Sequence, residues 1–204
     1  ILVFILILAV PVAAQKKSLT FTDMMKFKQI ESPVIADNGN WVAYSAQPDR
    51  GDGEVNIHSL ASKKVYAIPR GGRPAFSKDA RWVVMSVKPA AVELEKKEKD
   101  KDKPKSGMAL LNTGTGDTLQ VPAVESFFLS EDSHWLAYLK SKEEKKSDTP
   151  KQSDAGKDTS AQSKPKKKKE SVGSDLVLRN LQSGKETRSP FVVSYAFDST
   201  AHFL

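Results

Sequence analysis

The residues that could support catalysis or metal binding are few and widely separated in this sequence. Of its 204 residues none is cysteine, and the histidines are His58, His134 and His202. The absence of cysteine excludes disulfides, thiolate metal sites and cysteine nucleophiles. His134 and His202 each precede an aromatic residue in the same local pattern, which indicates a structural role, and His58 lacks a serine or acid partner at a diagnostic spacing. We therefore assign no catalytic, cofactor-binding or metal-binding residue.

Motifs for nucleotides, metals and activated serines are also absent. The sequence contains no Gly-x-Ser-x-Gly nucleophile elbow, P-loop, dinucleotide fingerprint, His-Glu-x-x-His or EF-hand loop. Two glycine–acid segments, 51–54 and 114–117, could suggest metal or phosphate binding. Each lies between two predicted strands, where hairpin-turn chemistry accounts for the glycines and the acids. We expect no cofactor, and the chain by its own residues is not a complete catalyst.

The formal net charge of +7 comes entirely from two lysine-rich segments. Residues 88–106 hold 7 Lys against 5 acidic residues, and residues 140–171 hold 11 Lys against 6. The remaining chain has 14 basic and 14 acidic side chains. Because these segments contain few apolar residues, they cannot bury enough surface to offset the entropy of ordering. We therefore expect two disordered insertions.

The insertions invite a nucleic-acid hypothesis that the rest of their composition does not favour. Binding to nucleic acid would require aromatic residues that stack on bases, and residues 140–171 contain none. Nuclear import conflicts with the export signal described below. Attraction to anionic cell-surface polymers stays open as the alternative to solvated loops. We expect no nucleic-acid partner.

A repeated polar turn before each tryptophan organises the rest of the sequence. Trp41, Trp82 and Trp135 each follow a turn rich in Asp, Asn and Ser, and Phe203 takes the tryptophan position in a fourth, weaker copy. A short apolar run precedes each turn. The spacings are 41, 53 and 68 residues, and the two longer ones contain the insertions. A base period near 40 residues is typical of a four-stranded propeller blade.

Short runs of β-branched and aromatic residues between turn signals supply the strands of each unit. The predicted strands are 41–46, 55–60, 65–68 and 74–76 in the first unit, 82–87, 108–112, 118–121 and 126–130 in the second, and 135–139, 175–181, 186–190 and 192–197 in the third. The fold prediction for residues 32–204 is thus all-β, an incomplete β-propeller of about three four-stranded blades and the start of a fourth. A β-sandwich is the alternative, but it does not require tryptophans at a regular spacing.

The N-terminal region is predicted to contain an export signal and a short helix. Residues 1–14 form an apolar run that ends in small residues, which is typical of a signal peptide cleaved before Gln15. The run is shorter than the roughly 20 residues needed to span a bilayer, and a buried strand is its alternative. Residues 15–31 form an N-terminal segment in which Thr22 and Asp23 favour the start of a helix. The missing basic start and the apolar end of the sequence predict a fragment of a longer exported protein, periplasmic or extracellular.

Together these features resemble the N-terminal part of secreted bacterial S9-family serine peptidases, the prolyl oligopeptidase, dipeptidyl-aminopeptidase and acylaminoacyl-peptidase group. The resemblance rests on the leader, on Phe21-Thr22-Asp23, on the Ser-x-Asp-x-x-Trp turns at Ser77 and Ser130, and on the strand 176–181 followed by Ser183-Gly184-Lys185. It covers residues 18–204. The same turn recurs in other propellers, and its usual glycine is present only at Gly39.

The resemblance implies a propeller that admits short peptides to a downstream α/β-hydrolase domain in the same protein. That domain would supply a Ser-Asp-His triad, and none of the family's catalytic or substrate-binding residues maps onto this chain. The implied partners are peptide substrates and the hydrolase domain in cis, with no stable membrane span. The alternative is a non-catalytic periplasmic or cell-surface propeller that binds protein or peptide.

Overall fold

The computed structural model describes residues 18–96, 103–141 and 173–198. The predicted signal peptide, most of the insertion at 140–171 and His202 lie outside these ranges. Within them, neither helix has the length or the hydrophobicity that crossing a bilayer requires. The helices are α1 (Phe21–Met24) and α2 (Ala91–Glu95). The strands are β1 (Lys28–Ile35), β2 (Trp41–Pro48), β3 (Glu54–Ser59), β4 (Val65–Pro69), β5 (Gly71–Phe76), β6 (Trp82–Val87), β7 (Gly107–Asn112), β8 (Thr118–Val121), β9 (Val124–Leu129), β10 (Trp135–Lys140), β11 (Ser174–Asn180) and β12 (Glu186–Val192).

The described strands form three four-stranded antiparallel sheets, each a meander of consecutive strands. The first sheet contains β1 to β4, the second β5 to β8 and the third β9 to β12. Consecutive four-stranded meanders that stack face to face are the arrangement of successive propeller blades. The all-β, incomplete β-propeller prediction is therefore confirmed.

The boundaries between the predicted units were wrong by one strand. Residues 74–76 were expected to close the first unit, but they belong to β5, which pairs with β6 of the second sheet. Residues 126–130 were expected to close the second unit, but β9 pairs with β10 of the third sheet. The tryptophan opens the second strand of each sheet, because the polar turn before it is the hairpin that joins strand one to strand two.

Two hydrophobic cores lie between the three sheets. Both form because successive side chains along a strand point to opposite faces of its sheet. In β6, Val83 and Met85 face the first sheet, whereas Val84 faces the third. The buried core between the first and second sheets consists of Ala43, Val55, Ile57, Ile68, Val83, Met85, Ala109 and Leu111. That between the second and third consists of Val84, Met108, Leu110, Val124, Leu136, Tyr138, Val177 and Leu181. A fully buried aliphatic side chain contributes about 1.5–3 kcal/mol to folding, so these layers carry most of the stabilisation.

The turn before each tryptophan has the same backbone hydrogen bond in all three sheets. The backbone N–H of Ala36, Ser77 and Ser130 donates to the carbonyl of Trp41, Trp82 and Trp135, at 2.9 Å in each case. In the second and third turns the serine hydroxyl also accepts from the backbone N–H of the tryptophan, at 3.0 and 2.9 Å. The tryptophans thus occupy equivalent positions. Trp41 packs on the first core and Trp82 on the second.

Neighbouring turns are linked to one another along one rim of the stack. Lys78 Nζ lies 3.1 Å from Asp37 Oδ2 in the first turn and 3.7 Å from Glu131 Oε2 in the third. The Ser133 hydroxyl accepts from the Asp79 N–H at 3.1 Å. These contacts join residues at matching places of adjacent sheets, as expected of successive sectors of a ring.

Three local predictions need correction. The N-terminal helix begins earlier than expected, because Thr20 rather than Thr22 caps it through a reciprocal bond with Asp23. Helix α2 lies inside the insertion expected to be disordered, where the Ala91 N–H donates to Asp52 Oδ1 at 2.8 Å. Residues 192–197 do not form the expected separate strand, since β12 continues to Val192 and residues 193–198 have no strand pairing.

Candidate functional site

A polar cleft of about 370 Å³ lies where the first strands of the three sheets run side by side. We call it the first-strand cleft. It is lined by Glu31, Ser32, Ser45, Gln47, Gly72, Arg73, Ser86, Lys88, Ser106, Gly107, Val124, Glu125 and Phe127. Because Arg73 stands near the start of β5 and Lys88 follows the end of β6, the cleft lies toward the end of the stack opposite the tryptophan turns.

β-Bulges in the first strands place side chains at the cleft. The β1–β2 pairing shifts register between Glu31 and Val34, and the β5–β6 pairing shifts between Gly72 and Ala75. Ser32 and Arg73 occupy the bulges with φ of 48° and 51°, and each precedes a proline. A bulge re-aims the side chains around it and recurs next to functional sites. The position of Arg73 is therefore fixed by the backbone.

Four charged side chains line the cleft, the acidic Glu31 and Glu125 and the basic Arg73 and Lys88. All four are exposed. Glu31 and Glu125 belong to the outer two of the three first strands, and Arg73 belongs to the strand between them. In the part of the chain that the structure describes, none of the four forms an ion pair within 4.0 Å. These charges are available to a ligand.

Hydroxyl groups and a glycine form the floor of the cleft. Ser45 is 2% exposed, and its Oγ has no hydrogen-bond partner. The Ser86 hydroxyl donates to the Gly72 carbonyl at 2.9 Å. A Cβ at Gly72 would meet Ser86 Oγ at 3.4 Å, so this glycine keeps the cleft open above β5. A buried hydroxyl without a partner is uncommon in native proteins and calls for an explanation.

The two lysine-rich insertions leave the sheets at the end that carries the cleft. The first lies between β6 and β7, and the second lies between β10 and β11. The chain is anchored in equivalent ways where each begins. The Lys88 N–H donates to the Arg70 carbonyl at 2.9 Å, and the Ser141 N–H donates to the Ala123 carbonyl at 2.7 Å. The described chain therefore leaves the second strand of each of these two sheets through an equivalent backbone hydrogen bond.

The histidines within the described ranges lie away from the cleft and have local roles. His58 stacks on Tyr44 with 5.6 Å between ring centroids and shares a 3.2 Å hydrogen bond with its hydroxyl. His134 Nδ1 lies 3.0 Å from Asp132 Oδ2 in the third turn. Partial burial alone would raise the pKa of Asp132, but hydrogen bonds from Ser130 and His134 outweigh it and hold this pKa below its ordinary value. This arrangement stabilises a turn.

The two glycine–acid segments are hairpin connections, as predicted. Gly51 and Gly116 adopt φ of 105° and 85°, a region that only glycine occupies readily. A Cβ at Gly116 would also approach Tyr66 Cε1 to 2.9 Å. Among the residues that the structure describes, no three His, Asp or Glu side chains come together as metal ligands.

Sequence reasoning did not identify the cleft residues, although an alignment on the tryptophans contains a signal for them. Glu31, Gly72 and Glu125 each lie 10 residues before the tryptophan of their sheet. The following position holds serine in the first and third sheets and Arg73 in the second. The alignment thus places Arg73 where the other two sheets have serine, one position after the place that glutamate takes in those sheets. These residues line one cleft because the sheets stack.

Comparison with known proteins gives similar folds only. No family model matches the chain, and no curated protein sequence matches it. Similar solved structures include the β-propeller domain of the Trilobed protease from Pyrococcus furiosus, at 15% identity and a TM-score of 0.47, over 81% of this chain and 44% of that one. Pyrococcus horikoshii acylaminoacyl peptidase is similar at 13% identity and a TM-score of 0.46, over 82% of this chain and 26% of that one.

A structure described as a eukaryotic initiation factor is similar at 10% identity and a TM-score of 0.45, over 80% of this chain and 33% of that one. The chain therefore spans less than half the length of each of these structures. The activities in their names describe those proteins.

Proposed function

We propose that this chain is the propeller part of an exported serine peptidase of the prolyl oligopeptidase group. In this proposal the stacked sheets form part of the wall around a passage, through which short peptides reach an α/β-hydrolase domain downstream in the same protein. The chain itself binds and admits substrate and performs no chemical step. The apolar segment 1–14 would direct the protein to the periplasm or the exterior.

One observation carries the proposal: three consecutive four-stranded meanders repeat one turn before their tryptophans. This is the architecture that the sequence resemblance implies, and the resemblance extends to the leader and to Phe21-Thr22-Asp23. The charged first-strand cleft supports a role in contact with peptides, since it offers unpaired acidic and basic side chains together.

We expect the first-strand cleft in the wall of this passage to accept short peptides and to exclude folded proteins. The first-strand cleft has a volume of about 370 Å³, near the lower end of the roughly 300–1,000 Å³ typical of small-ligand sites. A folded domain of about 100 residues has a radius of gyration near 13 Å, so it cannot enter a space of this size. Short, extended peptides would pass and folded proteins would not.

The proposal is tested in the native full-length protein. We expect the coding sequence after Leu204 to encode a Gly-x-Ser-x-Gly motif, and we expect a fluorescent fluorophosphonate to label that serine. Replacing this serine with alanine is the control and should abolish labelling. If several hundred further residues contain no such motif and the protein takes up no label, the peptidase proposal fails.

A second candidate function is a non-catalytic periplasmic or cell-surface propeller that binds protein or peptide. The cleft favours it, because all of its lining residues come from the three sheets and the connection between β6 and β7 and need no other domain. This candidate predicts peptide binding by a full-length protein that does not react with fluorophosphonate.

A further inference from the structure

The strongest unexplained feature of the molecule is the row of charges across its three first strands. Glu31 and Glu125 lie on the outer strands at matching positions, and Arg73 lies between them at the bulge of β5. Arg73 has no ion pair or side-chain hydrogen bond to any described residue.

We propose that the first-strand cleft binds the free carboxylate of a short peptide through Arg73, and that Glu31 and Glu125 reserve the cleft for peptides whose other end is a free ammonium. The ligand class is thus a zwitterionic di- or tripeptide. The choice of a peptide rests on the proposed function, whereas the charge selection rests on the cleft alone.

The chemistry of Arg73 suits a carboxylate. A guanidinium presents its donors in a rigid planar fork, which can bind both oxygens of a carboxylate at once, and it stays charged at all physiological pH values. The bulge in β5, where Arg73 adopts a φ of 51° before Pro74, restricts the backbone from which this side chain extends. Lys88 adds a second positive charge to the same cleft.

The neutral polar groups of the cleft suit the backbone of a short peptide. Ser45 Oγ is buried and has no partner, so a ligand carbonyl or N–H at this point would satisfy it. Gly72 leaves open the space that a side chain would fill, with Ser86 Oγ 3.4 Å from its Cβ position. The volume of about 370 Å³ limits the ligand to a few residues.

The charge balance of the cleft argues against a polyion as its ligand. Two acidic and two basic side chains leave no net charge, so a long polyanion or polycation would meet as much repulsion as attraction. A zwitterion gains from both signs. Polyanion binding would instead show a steep dependence on salt concentration.

The test is calorimetric titration of the native full-length protein after treatment with fluorophosphonate, which prevents hydrolysis if the protein is a peptidase. The probes are Ala-Ala-Ala, its C-terminal amide and its N-acetyl derivative. We expect the free tripeptide to bind about tenfold more tightly than the amide, since a charge-assisted bidentate bond is lost. Arg73→Gln should reduce this ratio to near one, and Arg73→Lys should leave an intermediate ratio.

Matched variants separate binding from general damage. Arg81→Gln removes one positive charge from a tryptophan turn at the other end of the stack, and it should leave the ratio unchanged. Glu31→Gln combined with Glu125→Gln should reduce the preference for the free over the acetylated N-terminus. Gly72→Ala narrows the floor without changing charge, and it should weaken all three probes alike by several-fold.

The inference is overturned if no probe binds, if the amide binds as tightly as the free acid, or if Arg73→Gln preserves their ratio. Binding that weakens steeply with salt for all probes would indicate a polyion site and would also overturn it. These failures are distinguishable from failure of the proposed function. If fluorophosphonate labels the protein but the peptide termini do not affect binding, the peptidase proposal stands and the cleft inference fails. If the protein is not labelled but binds the free tripeptide more tightly than the amide, the cleft inference stands and the peptidase proposal fails.

Discussion

Replacing the buried serine of the second and third tryptophan turns with alanine should measure how much the repeated turn stabilises the stack. The Ser77 hydroxyl donates to Asp79 Oδ1 at 2.6 Å and accepts from the Trp82 N–H at 3.0 Å, and the residue is 2% exposed. Ser130 forms the same two bonds, to Asp132 and Trp135. Alanine removes the acceptor from a tryptophan N–H and the donor from a carboxylate while it keeps the backbone conformation.

The expected loss follows from the cost of leaving buried polar groups without partners, about 1–3 kcal/mol for each variant. With a urea dependence of about 2 kcal/mol per molar, Ser77→Ala or Ser130→Ala should lower the unfolding midpoint by about 0.5–1.5 M. Tryptophan fluorescence reports this transition, because each tryptophan opens a strand beside the mutated turn.

The first turn offers a matched control within the same chain. Ala36 takes the serine position, and its backbone N–H donates to the Trp41 carbonyl at 2.9 Å, as the backbone N–H groups of Ser77 and Ser130 do to Trp82 and Trp135. Ala36→Ser should therefore stabilise the protein by about 0.5–1.5 kcal/mol, the net value of a hydrogen bond. If both serine variants unfold at the wild-type midpoint, or if Ala36→Ser destabilises as much as the others, the turns are not equivalent and the repeat interpretation is wrong.

Three further perturbations test other parts of the structure. Burial, together with Glu186, raises the pKa of Tyr138 to about 12 from 10.0. Stability that is present below pH 10 should therefore be lost progressively as the pH rises from 10 to 12, and Tyr138→Phe should remove this loss in urea unfolding at each pH. Ala80 is buried with a φ of 57°, at the position where the first turn has Gly39. Because glycine adopts a positive φ without strain, Ala80→Gly should raise the unfolding free energy by about 0.5–1 kcal/mol. An unchanged urea midpoint would show that Ala80 is not strained. An isolated polypeptide of residues 15–204 should aggregate in light scattering, because β1, an edge strand of the first sheet, exposes Ile30 and Ile35. A cooperative, monomeric melt would contradict the blade assignment.

The hairpin turns and the all-β fold were predictable from sequence because their causes are local. Asp and Ser side chains that bond the backbone two to five residues away leave a readable pattern, and the tryptophans mark its register. The assignment of strands to sheets was wrong for the same reason. A pattern centred on Trp82 makes the strand before it look like the end of the previous unit, whereas the pairing of β5 with β6 places it at the start of the next.

The cleft was not predicted, since it depends on contacts between residues far apart in sequence whose shared feature is their spacing from the tryptophans. Glu31, Arg73 and Glu125 carry no local motif, and they share a site only because three sheets stack with their first strands adjacent. Helix α2 was missed for a related reason. Its composition favours a solvated loop, but Asp52 from the first sheet holds the N–H of Ala91 at its start.

Peptide-length dependence of hydrolysis tests the central claim most directly, that this chain limits access to a peptidase active site. The measurement compares kcat/KM of the native full-length protein for a peptide of about ten residues and for the same sequence within a loop of a folded protein. Access through a passage walled by the propeller predicts a far lower value for the folded substrate, and recovery once that substrate is unfolded and cut into short pieces. Equal rates for the two substrates would contradict it.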